Sequence, residues 1–359
     1  MGAGGIEAIV CGLSNELAKR HTVTVCTLRQ PDDGEVFYKR LSPAVRKETI
    51  GKTESTSPVK VVFQVYRYIR KGDFDVVHIH SFFYFYVLAI LFLHRRKKFF
   101  YTVHSDASKE NMPWDVRLLP LKRFCFRKGW IHPVTISPAS QESFYRLYNC
   151  ESKLIRNGIP RPVVVAGDVA APYRLTPQTR VFVNPGRIDP AKNQGMLCRV
   201  FDRLVHEGHD VCLVIAGPNH KEVSYREMEP FFSDRIRYIG ECSDIPSLLN
   251  DADGMVLSSL YEGMPVVIIE AFAVGCPCIC TPVGGIVNMI EDGQNGILSA
   301  AVSEEAYYAA MLRFLSLPEE DLAAMRAQTQ ASFAPYDIAH MASNYYDYYQ
   351  KACVCGEKG

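Results

Sequence analysis

Two carboxylates, Glu262 and Glu270, stand with seven residues between them inside the stretch Leu257–Gly285, which reads LSSLYEGMPVVIIEAFAVGCPCICTPVGG. Glu270 interrupts the otherwise apolar run IIEAFA. A carboxylate in such surroundings must find hydrogen-bond donors, because burial without a partner costs several kcal/mol, on the order of the unpaired-charge penalty. The hydroxyls of a sugar or a ribose are suitable donors. Glu262 is followed by Gly263 and Met264, whose backbone N–H groups would point the same way as its side chain if a helix began there. The chemistry this pattern offers is therefore recognition of hydroxyls beside an anion.

The elements that must hold these groups follow from the local residues. Met255, Val256 and Leu257 form an apolar run suited to a buried parallel strand. Ser258, Ser259 and Gly263 break it. Pro265 fits the first helical position, since it has no N–H to waste. The helix runs Val266–Val274 and stops at Gly275, a C-terminal glycine. Glu262 thus lies between a strand's C-terminal end and a helix N-terminus, where the N–H groups of Gly263, Met264 and Val266 face ligand space. Cys276, Cys278 and Cys280 alternate along a further strand and fill core, and Thr281-Pro282-Val283-Gly284-Gly285 turns out of it.

Taken whole, the stretch resembles the signature of retaining glycosyltransferases of family 4: E-x7-E, then G-x-P, then a Gly-Gly turn, standing here as E-GMPVVII-E, GCP and TPVGG. The resemblance implies the GT-B fold, an α/β architecture of two Rossmann-like domains facing an interdomain cleft. It implies that Glu262 accepts hydrogen bonds from the donor sugar and Glu270 holds the nucleotide ribose. Residues 186–193, GRIDPAKN, match the family's G-R-x4-K-N element, which assigns Arg187 and Lys192 to the donor diphosphate. Fixed cations and helix N–H groups would stabilise the charge that a departing nucleoside diphosphate gains. Gly263, Met264, Gly284 and Gly285 are expected to bring backbone N–H groups to the same phosphates. No D-x-D motif in a metal-type context occurs, so the expectation is a metal-independent enzyme without a cofactor, using a nucleotide sugar as donor. The loop Gly240–Asp244 and the helix Ile245–Asn250 occupy the place of the nucleotide base; backbone contacts there do not separate UDP, GDP and ADP.

The first half resembles a GT-B N-terminal domain. In it a glycine-rich loop, Gly4-Gly5-Ile6-Glu7, faces donor phosphates and acceptor ahead of a helix with Ile9, Val10, Leu13 and Leu17 on one face. The strand that should precede these glycines is absent. Thr22–Leu28 and Asp75–His80 would each lose a ladder partner. A start set too far downstream is the preferred explanation; the others are that those strands close up, or that the domain is damaged. Residues 31–58 read as irregular with a short strand near Thr49, and Val59–Lys71 as helix. FFYFYVLAILFL, residues 82–93, is followed by His94-Arg95-Arg96-Lys97-Lys98. Twelve apolar residues fall short of a bilayer span. The preferred reading is a crossover helix against a sheet; the other is contact with a membrane surface near a lipid-linked acceptor. His104, at the end of strand Phe99–Val103, is implied to lie near the transferred sugar, with a core histidine as the alternative and His80 as a weaker candidate. Trp114–Lys128 reads as a basic helix, and Ser137 as the cap of the next one.

A chain of 359 residues exceeds one compact core. The division expected is 1–156 and 157–335, with a Tyr-rich helix 336–353 crossing back onto the first domain. Forty basic against 39 acidic residues leave a net charge of +1, which gives no field for nucleic acid. Twelve scattered cysteines without a C-x2-C pair, and no secretory signal, suit reduced thiols in a cytoplasm, at the inner membrane face if the second reading of residues 82–93 holds. The function expected is transfer of a sugar from a nucleotide diphosphate donor to a glycan or lipid-linked acceptor. Its rivals are a nucleotide-sugar epimerase, for which no acid/base pair is identified, and a non-catalytic donor-binding subunit.

Overall fold

The structure is a computed structural model and describes residues 5–31, 36–108, 110 and 115–354. The chain divides into two compact units: residues 1–160 with 336–359, and residues 161–335. The first boundary lies four residues beyond the expected 156, because Ile159 still bonds Tyr336 and Ile338 through its main chain.

The first unit carries β1 (Thr24–Thr27), β2 (Arg46–Thr49), β3 (Val76–Ile79), β4 (Lys98–Val103), β5 (Ile131–Thr135) and β6 (Lys153–Leu154), all in parallel ladders. Its helices up to residue 160 are α1 (Gly5–Leu17), α2 (Val36–Lys39), α3 (Pro58–Lys71), α4 (Val87–Leu93), α5 (Leu119–Arg127) and α6 (Pro138–Tyr148). β4 reads KFFYTV because both its faces are covered, as parallel strands between helices require. α3 buries Val61, Val65 and Ile69, one stripe at a spacing of four. Ser57 caps it, and Pro58 opens it without an N–H to waste. α6 starts on a reciprocal pair, Ser137 and Ser140, so the cap expected at Ser137 is present. Residues 82–93 fold as a 3-10 turn, Phe83–Phe85, and then α4, which buries Ala89, Ile90 and Leu93 and exposes Phe92. That is the crossover reading. No helix among the described residues is long and apolar enough to cross a membrane. Trp114 lies outside the described residues; the basic segment after it is a 3-10 turn, Asp115–Leu118, and α5.

The six strands of this unit form two sheets, β1-β2 and β3-β4-β5-β6. β1 and β3 have not closed up. Between them lies an empty space of ≈ 560 Å³, counting its mouth, lined by Thr24 and Cys26 from β1, Val76 and His78 from β3, and Tyr68 of α3.

The second unit holds β7 (Arg180–Pro185), β8 (Val211–Ala216), β9 (Ile236–Tyr238), β10 (Gly254–Leu257), β11 (Cys278–Cys280) and β12 (Gly296–Leu298) in one parallel sheet of order β12-β11-β10-β7-β8-β9. Its helices are α7 (Gln194–His206), α8 (Glu222–Met228), α9 (Ile245–Asp251), α10 (Val266–Val274), α11 (Glu304–Leu315) and α12 (Glu319–Ala331). β12 pairs parallel to β11 at the edge of this sheet. Phe182 of β7 packs between Phe201 of α7 and Phe314 of α11, with centroids 5.6 and 5.7 Å away. Cys276, Cys278 and Cys280 are fully buried. The last helix, α13 (Ile338–Val354), returns to the first unit, where Ile338 meets Gly12 of α1 and Tyr346 stacks on His21 at 4.6 Å.

The strand order of the second unit reverses between β10 and β7. Open parallel sheets bind ligands outside the carboxyl ends of the strands at such a switch point. The loops that leave those ends are 186–193 and 258–265.

Candidate active site

Loop 186–193 begins with a close crossing of two backbones. Gly186 has φ 154°, and a Cβ on Gly217, at the end of β8, would fall 2.1 Å from the Gly186 carbonyl oxygen. No side chain fits at Gly217, so glycine lets the loop fold across the sheet edge. Asp189 then caps the 3-10 turn Pro190–Lys192, accepting from Ala191 N–H at 3.0 Å. Asn193 takes the left-handed conformation and passes the chain into α7.

The second loop is stitched to the first. Ser258 Oγ donates to the carbonyls of Lys192 and Asn193 at 2.9 and 3.0 Å, and Leu260 N–H donates to Ala191 O at 2.8 Å. Across that seam Lys192 Nζ meets Glu262 Oε1 at 2.5 Å. Ser259 Oγ donates to the same oxygen at 2.7 Å, while its carbonyl accepts from Thr281 Oγ1 at 2.6 Å. Both serines are wholly buried. One carboxylate oxygen is therefore held twice. Among the described residues, Glu262 Oε2 has no partner.

Gly284 and Gly285 have a structural task at this loop. The N–H of Gly285 donates to Glu262 O at 3.2 Å. A Cβ on Gly284 would lie 1.9 Å from Glu262 O, and one on Gly285 1.7 Å from Gly263 O. The pair backs the main chain of Glu262 and Gly263, so at Gly285 the N–H is committed to the protein.

Helix α10 begins at Val266, and Pro265, with φ −69° and ψ 119°, sits at the capping position, one residue before the place expected. Its first-turn N–H groups have no intrahelical acceptor, and the helix dipole adds positive potential there. Met264 is 5% exposed, so what it can offer a ligand is main chain. Gly275 ends the helix in the left-handed conformation, φ 73°. Glu270 is half-buried on the fifth residue of α10 and is already engaged within the protein. Arg187 is exposed, with Nε 3.9 Å from Asp189 Oδ2. Of the residues singled out in this half, Lys192, Glu262, Gly263, Gly284 and Gly285 come into direct contact. Arg187 stands at the entry to the same loop, and Glu270 lies further along α10.

In the first unit, Gly5 starts α1 on the surface, and Gly4 lies outside the described residues. His104 is 8% exposed at the end of β4, and its Nε2 lies 3.1 Å from His80 Nδ1 at the end of β3. His80 packs against His78 at 4.1 Å. His78 bonds Tyr349 OH of α13 at 2.6 Å and Thr102 Oγ1 at 2.7 Å. Burial lowers the His104 pKa well below the usual histidine value, and the neighbouring His80 lowers it further. Burial takes His80 down to about 4. Both rings are neutral at pH 7.

The residue that sequence reasoning missed is Glu110. Its carboxylate accepts from the backbone N–H of His104 at 2.5 Å and of Ser105 at 2.9 Å, and from Tyr101 OH at 3.1 Å. Burial raises its pKa, against those hydrogen bonds. Nothing in spacing marks it, because two of its donors are main-chain groups of the loop it pins.

Residues 170–331 match the model of "Glycosyl transferases group 1" and residues 3–161 that of "Glycosyltransferase Family 4". A UDP-Gal:alpha-D-GlcNAc-diphosphoundecaprenol alpha-1,3-galactosyltransferase of Escherichia coli is 25% identical over 202 residues, 54% of this chain but only 48% of that enzyme's length. A D-inositol 3-phosphate glycosyltransferase of Corynebacterium glutamicum is 23% identical over 349 residues, covering 87% of this chain and 84% of its own. Among solved structures, a glycosyltransferase from Rickettsia africae superposes with a TM-score of 0.82 at 18% identity, covering 98% of this chain and 95% of that one. Anabaena Alr3699/HepE, solved with UDP and glucose, gives 0.79 at 18% identity, covering 97% and 96%.

Proposed function

The chain belongs to the group 1 glycosyltransferases of family 4 and has their GT-B fold of two Rossmann-like units, and from that premise we propose that it is a retaining glycosyltransferase. It takes a sugar from a nucleoside diphosphate and gives it to a hydroxyl of a glycan or lipid-linked acceptor. The observation that carries this is the Lys192–Glu262 contact at the switch point of the second sheet, beside the N-terminus of α10.

The three parts divide the work. The Lys192 ammonium and the first N–H groups of α10 meet the diphosphate, whose charge grows as the bond to the anomeric carbon breaks. Glu262 Oε2 accepts from donor-sugar hydroxyls. Glu270 serves the ribose, and Arg187 the outer phosphate. His104 is assigned to hydroxyls of the transferred sugar. The acceptor oxygen bonds to the anomeric carbon on the face that the diphosphate leaves, and its proton passes to a diphosphate oxygen. These residues supply the positive charge themselves, which supports activity without a metal ion or cofactor; full turnover in EDTA is the check. UDP is the nucleotide to try first, since the Anabaena neighbour was solved with UDP and with UDP-glucose.

A lipid-linked acceptor has its own support. The E. coli relative is named for a diphosphoundecaprenol acceptor. On this chain Val59 and Phe63 of α3 and Phe92 of α4 are more than half exposed, beside Lys60, Arg67, Arg95 and Arg96. Such a face suits shallow contact with an anionic membrane surface on the cytoplasmic side. Co-sedimentation with anionic vesicles, lost in a Phe63→Ser, Phe92→Ser double variant, tests it.

The central experiment supplies a panel of nucleotide sugars to the protein with glycan and polyprenyl diphosphate acceptors. Expected is donor-dependent transfer with retained anomeric configuration. Conversion of the donor into an epimer, or binding of UDP with no turnover of any donor, would overturn the proposal.

A further inference from the structure

The His80–His104 contact joins two neutral imidazoles, and a hydrogen bond between them fixes both tautomers at once. His104 Nε2 and His80 Nδ1 are 3.1 Å apart, so one of them carries the shared proton. If His80 Nδ1 donated, both rings would bear their proton on Nδ1. If His104 Nε2 donates, both bear it on Nε2, the tautomer that neutral imidazole side chains favour intrinsically. The second arrangement costs neither ring anything. It leaves a lone pair on His104 Nδ1, which has no partner among the described residues.

The surroundings hold the rings in register. The main chain of His104 is pinned by the Glu110 carboxylate at 2.5 Å. The His80 ring is backed by His78 at 4.1 Å, itself tied to Thr102 and to Tyr349. Rotation of the His104 ring would break the contact with His80 as well as disturb a buried site.

We propose that His80 is a positioning residue: it accepts the His104 Nε2–H and thereby makes His104 Nδ1 a fixed acceptor for a substrate hydroxyl. The role of the hydroxyl rests on the glycosyltransferase reading; the tautomer does not. A His104 without this partner would present donor and acceptor forms in turn, and a hydroxyl donating to it would meet the right form only part of the time.

The test uses the full chain labelled with ¹⁵N-histidine, together with His80→Phe and His80→Asn. Asparagine places an acceptor oxygen close to where Nδ1 stood; phenylalanine keeps the ring and removes the acceptor. In the wild type the His104 ¹⁵N shifts should show a single tautomer protonated on Nε2 at pH 7. His80→Asn should keep that signature. His80→Phe should move the shifts toward a mixture in which both tautomers are populated, and its kcat should fall several-fold, short of the roughly tenfold worth of one whole neutral hydrogen bond, with the donor KM changed less than twofold. A His104 protonated on Nδ1 in the wild type would overturn the proposal. So would a His80→Phe protein with unchanged His104 shifts and kcat, or a His80→Asn protein as impaired as His80→Phe. The spectra need no substrate. Absence of transfer in the wild type would therefore refute the enzymatic reading, while the tautomer assignment would stand or fall on the shifts alone.

Discussion

Replacing Glu262 by Gln should strengthen the binding of UDP while stopping transfer. Glu262 occupies Lys192, the lysine proposed to meet the diphosphate, at 2.5 Å, with side chains 22% and 11% exposed. An incoming diphosphate must compete with that carboxylate for Lys192 and approach its negative charge. Glutamine keeps the shape and can still accept from Ser259 Oγ, but it removes the formal charge. At this partial burial, two like charges a few ångströms further apart than the pair interact by on the order of 1–2 kcal/mol after screening. Calorimetric titration at ~0.1 M salt should then show UDP binding roughly 5–30-fold more tightly than to wild type. Stability should drop by only about 1 kcal/mol, the worth of one charge-assisted hydrogen bond at a partly open site. Transfer should fall at least about a hundredfold, because the oxygen meant for the sugar is no longer a carboxylate. A tenfold weaker UDP complex in Glu262→Gln would refute the competition argument. It would mean that the Lys192–Glu262 pair is a brace for the loop and not a cradle whose lysine is shared with the ligand.

Other outcomes follow from the same geometry. Lys192→Ala removes a charge-assisted contact worth about 2 kcal/mol, so the UDP dissociation constant should rise about 30-fold in the same titration; an unchanged constant would take Lys192 out of the site. Gly285→Ala drives a methyl into the Gly263 carbonyl, 1.7 Å away. It should cost about 3 kcal/mol or more and lower the melting temperature by roughly 6–12 °C, read by calorimetry. For pH, His80 resists protonation in the folded protein until about 4, while the unfolded chain takes up the proton near 6.5. Stability from this group is complete above 6.5 and is lost as pH falls through that window, by about 3 kcal/mol at pH 4. Urea denaturation at pH 7, 5.5 and 4 should show wild type losing that much more than His80→Asn; parallel curves would contradict it.

Much of this fold was legible because the signals were local. The apolar runs Phe99–Val103 and Met255–Leu257 read as strands, and Ser137 and Gly275 announced helix ends. The Lys192–Glu262 pairing could not be read from spacing, since 70 residues separate the partners and only the sheet order brings their loops together. The glycines of the Gly-Gly turn were recognised as special, and part of the reason lay out of sight in the sequence: the carbonyls of Glu262 and Gly263 come too close for any side chain there. Glu110 was invisible because an acidic residue in a polar loop looks like any solvated charge until its main-chain donors are placed around it. The gap between β1 and β3 shows the limit in the other direction. Whether β1 and β3 would pair was a packing question, and Tyr68, Ile69 and Tyr86 line the space between them.

The second unit should hold a nucleoside diphosphate at the switch point of its sheet. A crystal structure of the protein soaked or grown with UDP tests that most directly. It should place a phosphate oxygen within about 3 Å of Lys192 Nζ, with the diphosphate over the first turn of α10. UDP bound elsewhere in the molecule, or a diphosphate that leaves Lys192 on Glu262 and touches neither loop, would contradict it.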